Sequence, residues 1–342
     1  YYCRFLETGV VSIDPGNGQV KAWVGGLDFR FFKYDHVQQG KRQAGSIFKP
    51  FVYAKAIEAG YSPCDYLLNQ PVTFDDVDGE GTKWQPKNAD GKIGGMMTLR
   101  QGLARSVNLI TANLMREIGP VPVVTLAKNM GIRSPLEAVY SICLGTSDVN
   151  VLELTGAYTT FANQGVWVEP NYITRIEDKN GEILAEFPVD SRSALNPSDT
   201  YKVLELLKGV VDEPGGTASR LRYTYKFRNE IAAKTGTTQN HSDGWFMGVT
   251  PNLVTGVWVG AADRRVRFSD IKYGQGANMA LPIWALYMQS LYDDPEIGLP
   301  TDNFKRPRGV YGSIVCEDPA DLRVKLPGEN GGTGDDEDLD GF

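Results

Sequence analysis

Strand-like segments stand at both ends of this chain, and helical segments fill the middle. Residues 9–14 (Gly-Val-Val-Ser-Ile-Asp) read as a strand, Pro15-Gly16-Asn17-Gly18 as a turn, and 19–24 as a second strand closed by Gly25-Gly26. Far downstream, 230–235 begins another strand. Residues 244–250, the turn Pro251-Asn252 and 253–260 then form a hairpin rich in Val, Phe and Trp. Between these ends, 99–118 carries Leu103, Val107, Ile110, Leu114 and Ile118 at helical spacing, and 124–130, 149–163 and 198–211 read as further helices. Residues 283–292 form a closing helix, and 172–177 with 182–187 a small accessory hairpin around Asp178-Lys179-Asn180-Gly181. Residues 61–97 hold many turn formers and read as an extended loop region. This order predicts an α/β (α+β) fold. One sheet is assembled from sequence-distant strands, with flanking helices and a helical lobe over about 61–165 between them.

Composition narrows the chemistry. At 342 residues the chain can bury a large core. Its net charge is −7 and no basic cluster stands out, which argues against nucleic acid as a partner. No apolar run reaches the length of a membrane span and no signal peptide opens the chain; the first residues read as a chain already under way, a fragment of something longer. Only His36 and His241 could supply imidazole, too few for a histidine-rich metal site and a poor basis for a serine–histidine–acid triad. Cys3, Cys64, Cys143 and Cys316 lack metal-ligand spacing; buried free thiols and one disulfide both stay open. No metal or cofactor is expected. Residues 328–342 are glycine-rich and then acidic, and read as a solvated, disordered tail.

Three short motifs remain. In Arg42-Gln43-Ala44-Gly45-Ser46-Ile47-Phe48-Lys49-Pro50, the proline is tolerable only in a first helical turn, so Ser46 should sit at a helix N-terminus. Lys49, three residues on, projects from the same face, which brings an amine to a hydroxyl as in an activated nucleophile. A second pair, Ser269 and Lys272, has no helix behind it. Ser106-Val107-Asn108 falls inside the helical segment 99–118, and its poor helix formers predict a break there. Lys234-Thr235-Gly236-Thr237-Thr238 ends a strand in hydroxyl residues. A fixed charge at Lys234, donors at Thr235 and Thr237, and close backbone approach at Gly236 would suit a carboxylate-bearing peptide laid along a strand edge. No glycine-rich loop precedes Lys234, so a phosphate-loop reading fails.

In the order Ser-x-x-Lys, Ser-x-Asn, Lys-Thr-Gly, the set resembles the transpeptidase domain of class A, bifunctional penicillin-binding proteins. Ile13-Asp14-Pro15, Phe161-Ala162-Asn163-Gln164-Gly165 and Asp243-Gly244-Trp245-Phe246 extend the likeness over roughly 9–320; Ala44 and Ala233 depart from it, where proline and glycine are frequent. The resemblance implies the penicillin-binding/serine β-lactamase-like fold, with an antiparallel sheet, as one domain over 1–327. It implies a serine-type D-Ala-D-Ala transpeptidase that cross-links peptidoglycan stem peptides through a Ser46 acyl-enzyme and is acylated by β-lactams. Lys49 would be the base, Ser106 the proton relay and Asn108 a hold on the donor amide. Lys234, Thr235 and Thr237 would bind the donor carboxylate, and Gly236 and Thr238 belong to the same binding stretch. The place implied is extracytoplasmic, at the periplasmic face of the inner membrane or the cell surface, with the membrane reached only through an N-terminal anchor outside this sequence. On the same fold a non-catalytic β-lactam sensor, a DD-carboxypeptidase or a β-lactamase are the alternatives. The last would need a deacylating base, and no Glu-x-x-Leu-Asn run follows Ser106.

Overall fold

The computed structural model describes residues 5–75, 82–238, 241–310, 314 and 316. The expected opening hairpin is β1 (Leu6–Ile13) with β2 (Val20–Val24). A short strand β3 (Arg42–Gln43) leads through the 3₁₀ turn Gly45–Phe48 into helix α1 (Lys49–Glu58), which has Pro50 in its first turn. The 61–97 region is mostly irregular, but β4 (Tyr66–Leu68) pairs with β5 (Met96–Thr98), a ladder too short to leave a period in the sequence. Helix α2 (Leu99–Ala104) starts in a capping box between Thr98 and Gln101. Then come α3 (Asn108–Ile118), α4 (Pro120–Asn129), a 3₁₀ turn Tyr140–Leu144, β6 (Asp148–Val149) against β3, and α5 (Val151–Ala162).

After β7 (Val166–Val168) comes the accessory hairpin β8 (Arg175–Glu177) and β9 (Ile183–Glu186), then β10 (Ser191–Ser193), which returns to β7. Helices α6 (Pro197–Asp212) and α7 (Arg220–Tyr223) lead to β11 (Ala232–Thr237), β12 (Asp243–Val249) and β13 (Val254–Ala261). Helices α8 (Ile271–Gly274) and α9 (Gly276–Asp293) follow. Among the described residues these strands build one five-stranded antiparallel sheet in the order β11-β12-β13-β1-β2. Its join is the pairing of β1 with β13, from Leu6 opposite Ala261 to Ile13 opposite Val254.

Both faces of the sheet are covered, which is why β12 and β13 are buried along their whole length and read as continuous apolar runs. Phe246 turns to α9, its ring 5.3 Å from Trp284. Met247, on the opposite face, meets Thr155 of α5 at 3.9 Å. Helix α5 was expected inside the helical lobe; it lies against the sheet instead. Helix α9 begins at Gly276, seven residues before the expected start at 283, and carries Pro282 in its interior. Cys64 and Cys316 form a disulfide across a sequence separation of 252, Cys143 is buried and free, and Cys3 lies outside the described residues. The expected acidic tail, 328–342, also lies outside them. No helix among the described residues is long and apolar enough to cross a membrane.

Candidate active site

The turn that carries Ser46 is held from several directions. Gly45 takes a φ of +58°, and a side chain there would come within 2.9 Å of the Thr237 carbonyl oxygen. The Trp245 indole donates to the Gln43 carbonyl at 2.9 Å, and the Tyr158 hydroxyl to the Ile47 carbonyl at 2.6 Å. Arg42, just upstream, is buried against Asp243 at 2.7 Å and donates to the Ala261 carbonyl at 2.5 Å. Asp243 also accepts from Trp258 at 2.9 Å and from Ser242 at 2.7 Å. Thus the sheet and helix α5 fix the backbone of 42–47. The Ser46 hydroxyl itself opens into a cleft of about 370 Å³.

Lys49 follows at the start of α1 and is fully buried. Its amine donates to the Ser106 carbonyl at 2.6 Å, to Asn108 Oδ1 at 2.7 Å and to Ser106 Oγ at 3.2 Å. Burial lowers its pKa to about 7, because a charged amine loses its water there. Cys143 lies near enough to interact with it, but burial pushes that thiol up to about 12 and it brings no negative charge at neutral pH.

The expected break in the 99–118 helix is real. Ser106 lies between α2 and α3 with a φ of +56°, a conformation uncommon for a serine, and that turn points its hydroxyl at both lysines. Lys234 Nζ donates to Ser106 Oγ at 2.9 Å and to the Thr235 carbonyl at 3.0 Å. Asn108, at the start of α3, accepts from Lys49 and donates to the Lys87 carbonyl at 2.8 Å. Each end of its amide keeps one further hydrogen-bonding position.

Strand alternation explains how β11 divides its labour. Lys234 stands opposite Met247 and Gly236 opposite Trp245, on the inner face; Thr235 and Thr237 point the other way. Lys234 is therefore fully buried beneath the cleft, and its pKa falls well below the lysine range, through burial first and then the charge of Lys49. Burial and the nearby Lys49 thus both work against the fixed positive charge expected there. Gly236 also differs from expectation. A side chain there would lie 2.9 Å from both Ile47 and Trp245, and 3.3 Å from the Ala44 carbonyl, so the backbone that approaches closely is the chain's own Ser46 turn. Thr235 donates to Thr217 Oγ1 at 2.7 Å, and Thr237 Oγ1 accepts from Gly276 N at 3.2 Å. Thr238 is buried and turned to Asp243, its hydroxyl 3.1 Å from Oδ2.

Ser46, Ser106, Asn108, Thr235, Thr237 and Thr238 all border the one cleft, with Lys49 and Lys234 beneath it. Ser269 and Lys272 are not among its lining residues. Lys87, Arg105, Thr217 and His241 also line it, and sequence reasoning missed all four. Arg105 is adjacent to Ser106 and could have been noticed; Thr217, in an unpatterned Pro-Gly-Gly-Thr turn, could not. A larger cavity, about 470 Å³, opens near Pro15 and Asn252 and has neither lysine nor serine of the motifs in its lining.

A serine at a helix start, two buried amines and a serine between them bring together the groups that an activated serine nucleophile requires. The family model described as the penicillin binding protein transpeptidase domain matches residues 8–264, and the chain belongs to this family. It is 37% identical over 301 residues to penicillin-binding protein 1A of Aquifex aeolicus, covering 87% of this chain and 40% of that one. With the Rickettsia felis protein of the same name it shares 34% over 348 residues, covering 94% and 42%. The chain thus spans about two fifths of the length of these curated relatives. Penicillin-binding protein 1A from Haemophilus influenzae superposes with a TM-score of 0.79 at 25% identity, covering 89% of this chain and 49% of that one. The PonA1 protein from Mycobacterium tuberculosis in complex with penicillin V gives 0.75 at 25% identity, covering 92% and 84%.

Proposed function

We propose that residues 1–327 form one DD-transpeptidase domain that cross-links peptidoglycan stem peptides and is acylated by β-lactams, acting outside the cytoplasm. The observation that carries this reading is the Lys49–Ser106–Lys234 chain lying directly under the cleft that holds the Ser46 hydroxyl. An unperturbed lysine costs about 4–5 kcal/mol to deprotonate at pH 7. With the Lys49 pKa near 7, almost none of that cost remains. Neutral Lys49 takes the Ser46 proton as Ser46 Oγ bonds to the carbonyl carbon of the penultimate D-Ala. The hydrogen bonds of Lys49 run to Ser106 and Asn108, so its contact with Ser46 forms when substrate enters. The peptide C–N bond then breaks, and Ser106 passes a proton to the leaving D-alanine amine. An acceptor amine attacks the ester, its proton returns through the same groups, and Ser46 recovers its hydroxyl as the new amide forms. The N–H groups of Ser46 and Thr237 serve as the oxyanion hole, each worth about 3 kcal/mol. Asn108 holds the donor amide, and Thr235 and Thr237 its carboxylate. Lys234 acts from below, through Ser106.

No Asp or Glu borders the cleft among the described residues, so it lacks the carboxylate base that a class A β-lactamase sets against the acyl-enzyme. A penicillin adduct should therefore persist, unlike that of a β-lactamase. Intact-mass measurement through time after penicillin exposure, with peptide mapping, tests the reading. A lasting adduct on Ser46, absent in Ser46→Ala, is expected; an adduct elsewhere, or rapid turnover, would sink it. Product analysis with a D-Ala-D-Ala thioester and an added amine then separates aminolysis from a carboxypeptidase's hydrolysis and from a sensor's inertness.

A further inference from the structure

The donor of the proposed reaction ends in a carboxylate, and both motif lysines are too deeply buried to meet it. Lys49 and Lys234 are fully buried, and burial favours their neutral forms. The cleft wall nevertheless holds two exposed cationic side chains, Lys87 and Arg105, and of these the guanidinium lies on the Thr235 side, tied to it through the 213–217 loop. Arg105, at the end of α2, is exposed and lines the cleft beside Ser106. Its Nε donates to the Pro214 carbonyl at 3.2 Å, which orients the guanidinium, while its two terminal nitrogens have no partner among the described residues. The loop after α6 ties this arginine to the strand edge. Thr217 N donates to the Ala104 carbonyl at 3.1 Å, and Thr217 Oγ1 accepts from Thr235 at 2.7 Å. One end of the cleft therefore gathers a guanidinium and the hydroxyls of Thr217 and Thr235, with no acidic side chain in the lining.

We propose that Arg105 is the cation that binds the terminal carboxylate of the donor peptide, and the equivalent carboxylate of a penicillin, together with the linked Thr217 and Thr235 hydroxyls, the Thr217 proton being free to donate while its oxygen accepts from Thr235. This rests on the transpeptidase reading above. A guanidinium stays charged at any working pH and presents a planar fork that matches a carboxylate. It can therefore hold the donor while the lysines beneath are free to lose and regain protons. Binding by Arg105 also explains why the Lys234 amine can be spent on Ser106 and the Thr235 carbonyl.

The test compares benzylpenicillin with its uncharged methyl ester on the whole chain, as wild type, Arg105→Ala and Arg105→Lys. The second-order acylation constant is read by intact mass, with melting temperature as a check of folding. Arg105→Ala should acylate with the acid roughly ten- to a hundredfold more slowly, the range expected for a lost hydrogen bond to a charged group. Its rate with the ester should match wild type within about twofold, as the lost contact is with the carboxylate alone. Arg105→Lys should recover much of the loss. An unchanged rate with the acid, or an equal fall with acid and ester, overturns the inference while the wild-type adduct keeps the transpeptidase reading standing. A wild type that forms no adduct with either compound overturns both.

Discussion

Two clusters lie near the Ser46 turn: Arg42 with Asp243 just upstream of it, and Lys49 with Lys234, which converge on Ser106. Both clusters are buried, but Arg42 meets an opposite charge, an indole face 4.8 Å away and a backbone carbonyl, and Asp243 has its oxygens filled by Trp258, Ser242 and Thr238. The lysines meet each other and neutral oxygens, with no ion pair among the described residues. A compensated pair keeps its charges and so keeps its geometry. An uncompensated pair sheds protons cheaply, which is what a base needs and a scaffold does not.

The sharpest way to break this comparison is to make each cluster apolar. Lys49→Met should slow acylation by about 10²–10⁴, the usual worth of a general base. Its melting temperature should not fall, because a buried amine without a counter-charge is removed. A fall of several degrees would mean that Lys49 is structural. Asp243→Ala should do the reverse. It strands Arg42, at a cost of about 3–5 kcal/mol in denaturant unfolding, the usual penalty for breaking a buried pair. The folded fraction should still take up penicillin at Ser46. If acylation were lost while stability held, the division of roles proposed here would fail.

Proton linkage separates the clusters more gently. The folded pKa of Lys49 lies below its unfolded value near 10.4, so between about pH 7 and 10 the unfolded chain binds more protons. Lys49 therefore adds stability as pH rises through that window, and the contribution is lost as pH falls toward 7. Lys49→Met should flatten this part of a stability–pH curve measured by urea titration; an unchanged slope would deny the depressed pKa. The acylation rate should climb through about pH 7 on the same proton. The smallest effect is expected from deleting residues 329–342, which carry almost no apolar side chains. Neither acylation rate nor melting temperature should move; a drop of several degrees would show that the segment packs on the domain.

Much of this was legible because local rules and tertiary demands agree in the elements concerned. Pro50 marked the start of α1, and the poor helix formers Ser106 and Asn108 marked the break between α2 and α3. The Val-, Phe- and Trp-rich stretches around Pro251-Asn252 marked the β12–β13 hairpin. What escaped depends on which way a side chain points. The sequence puts Lys234 beside Thr235 but does not say which faces the cleft, and that decides whether the lysine is a binding charge or a buried amine. Arg105 carries no period or motif, and its position follows from the 213–217 loop folding against α2. The first seven residues of α9 also escaped, since its packing on β12 holds Gly276 and Pro282, both poor helix formers, within the helix.

The pairing of β1 with β13 has a consequence in time. As the chain is made from its N-terminal side, Ser46 emerges about two hundred residues before Asp243 and Trp245, the groups that hold its turn. Joining strands so far apart carries a loop-closure cost that local helices do not, and such topologies fold slowly. The nascent protein thus passes through a long interval in which helices α1 to α5 can form but β11, and Lys234 with it, is not yet beside the serine. On the acyl-transfer reading proposed above, the Ser46 site is therefore completed late, when the last strands dock.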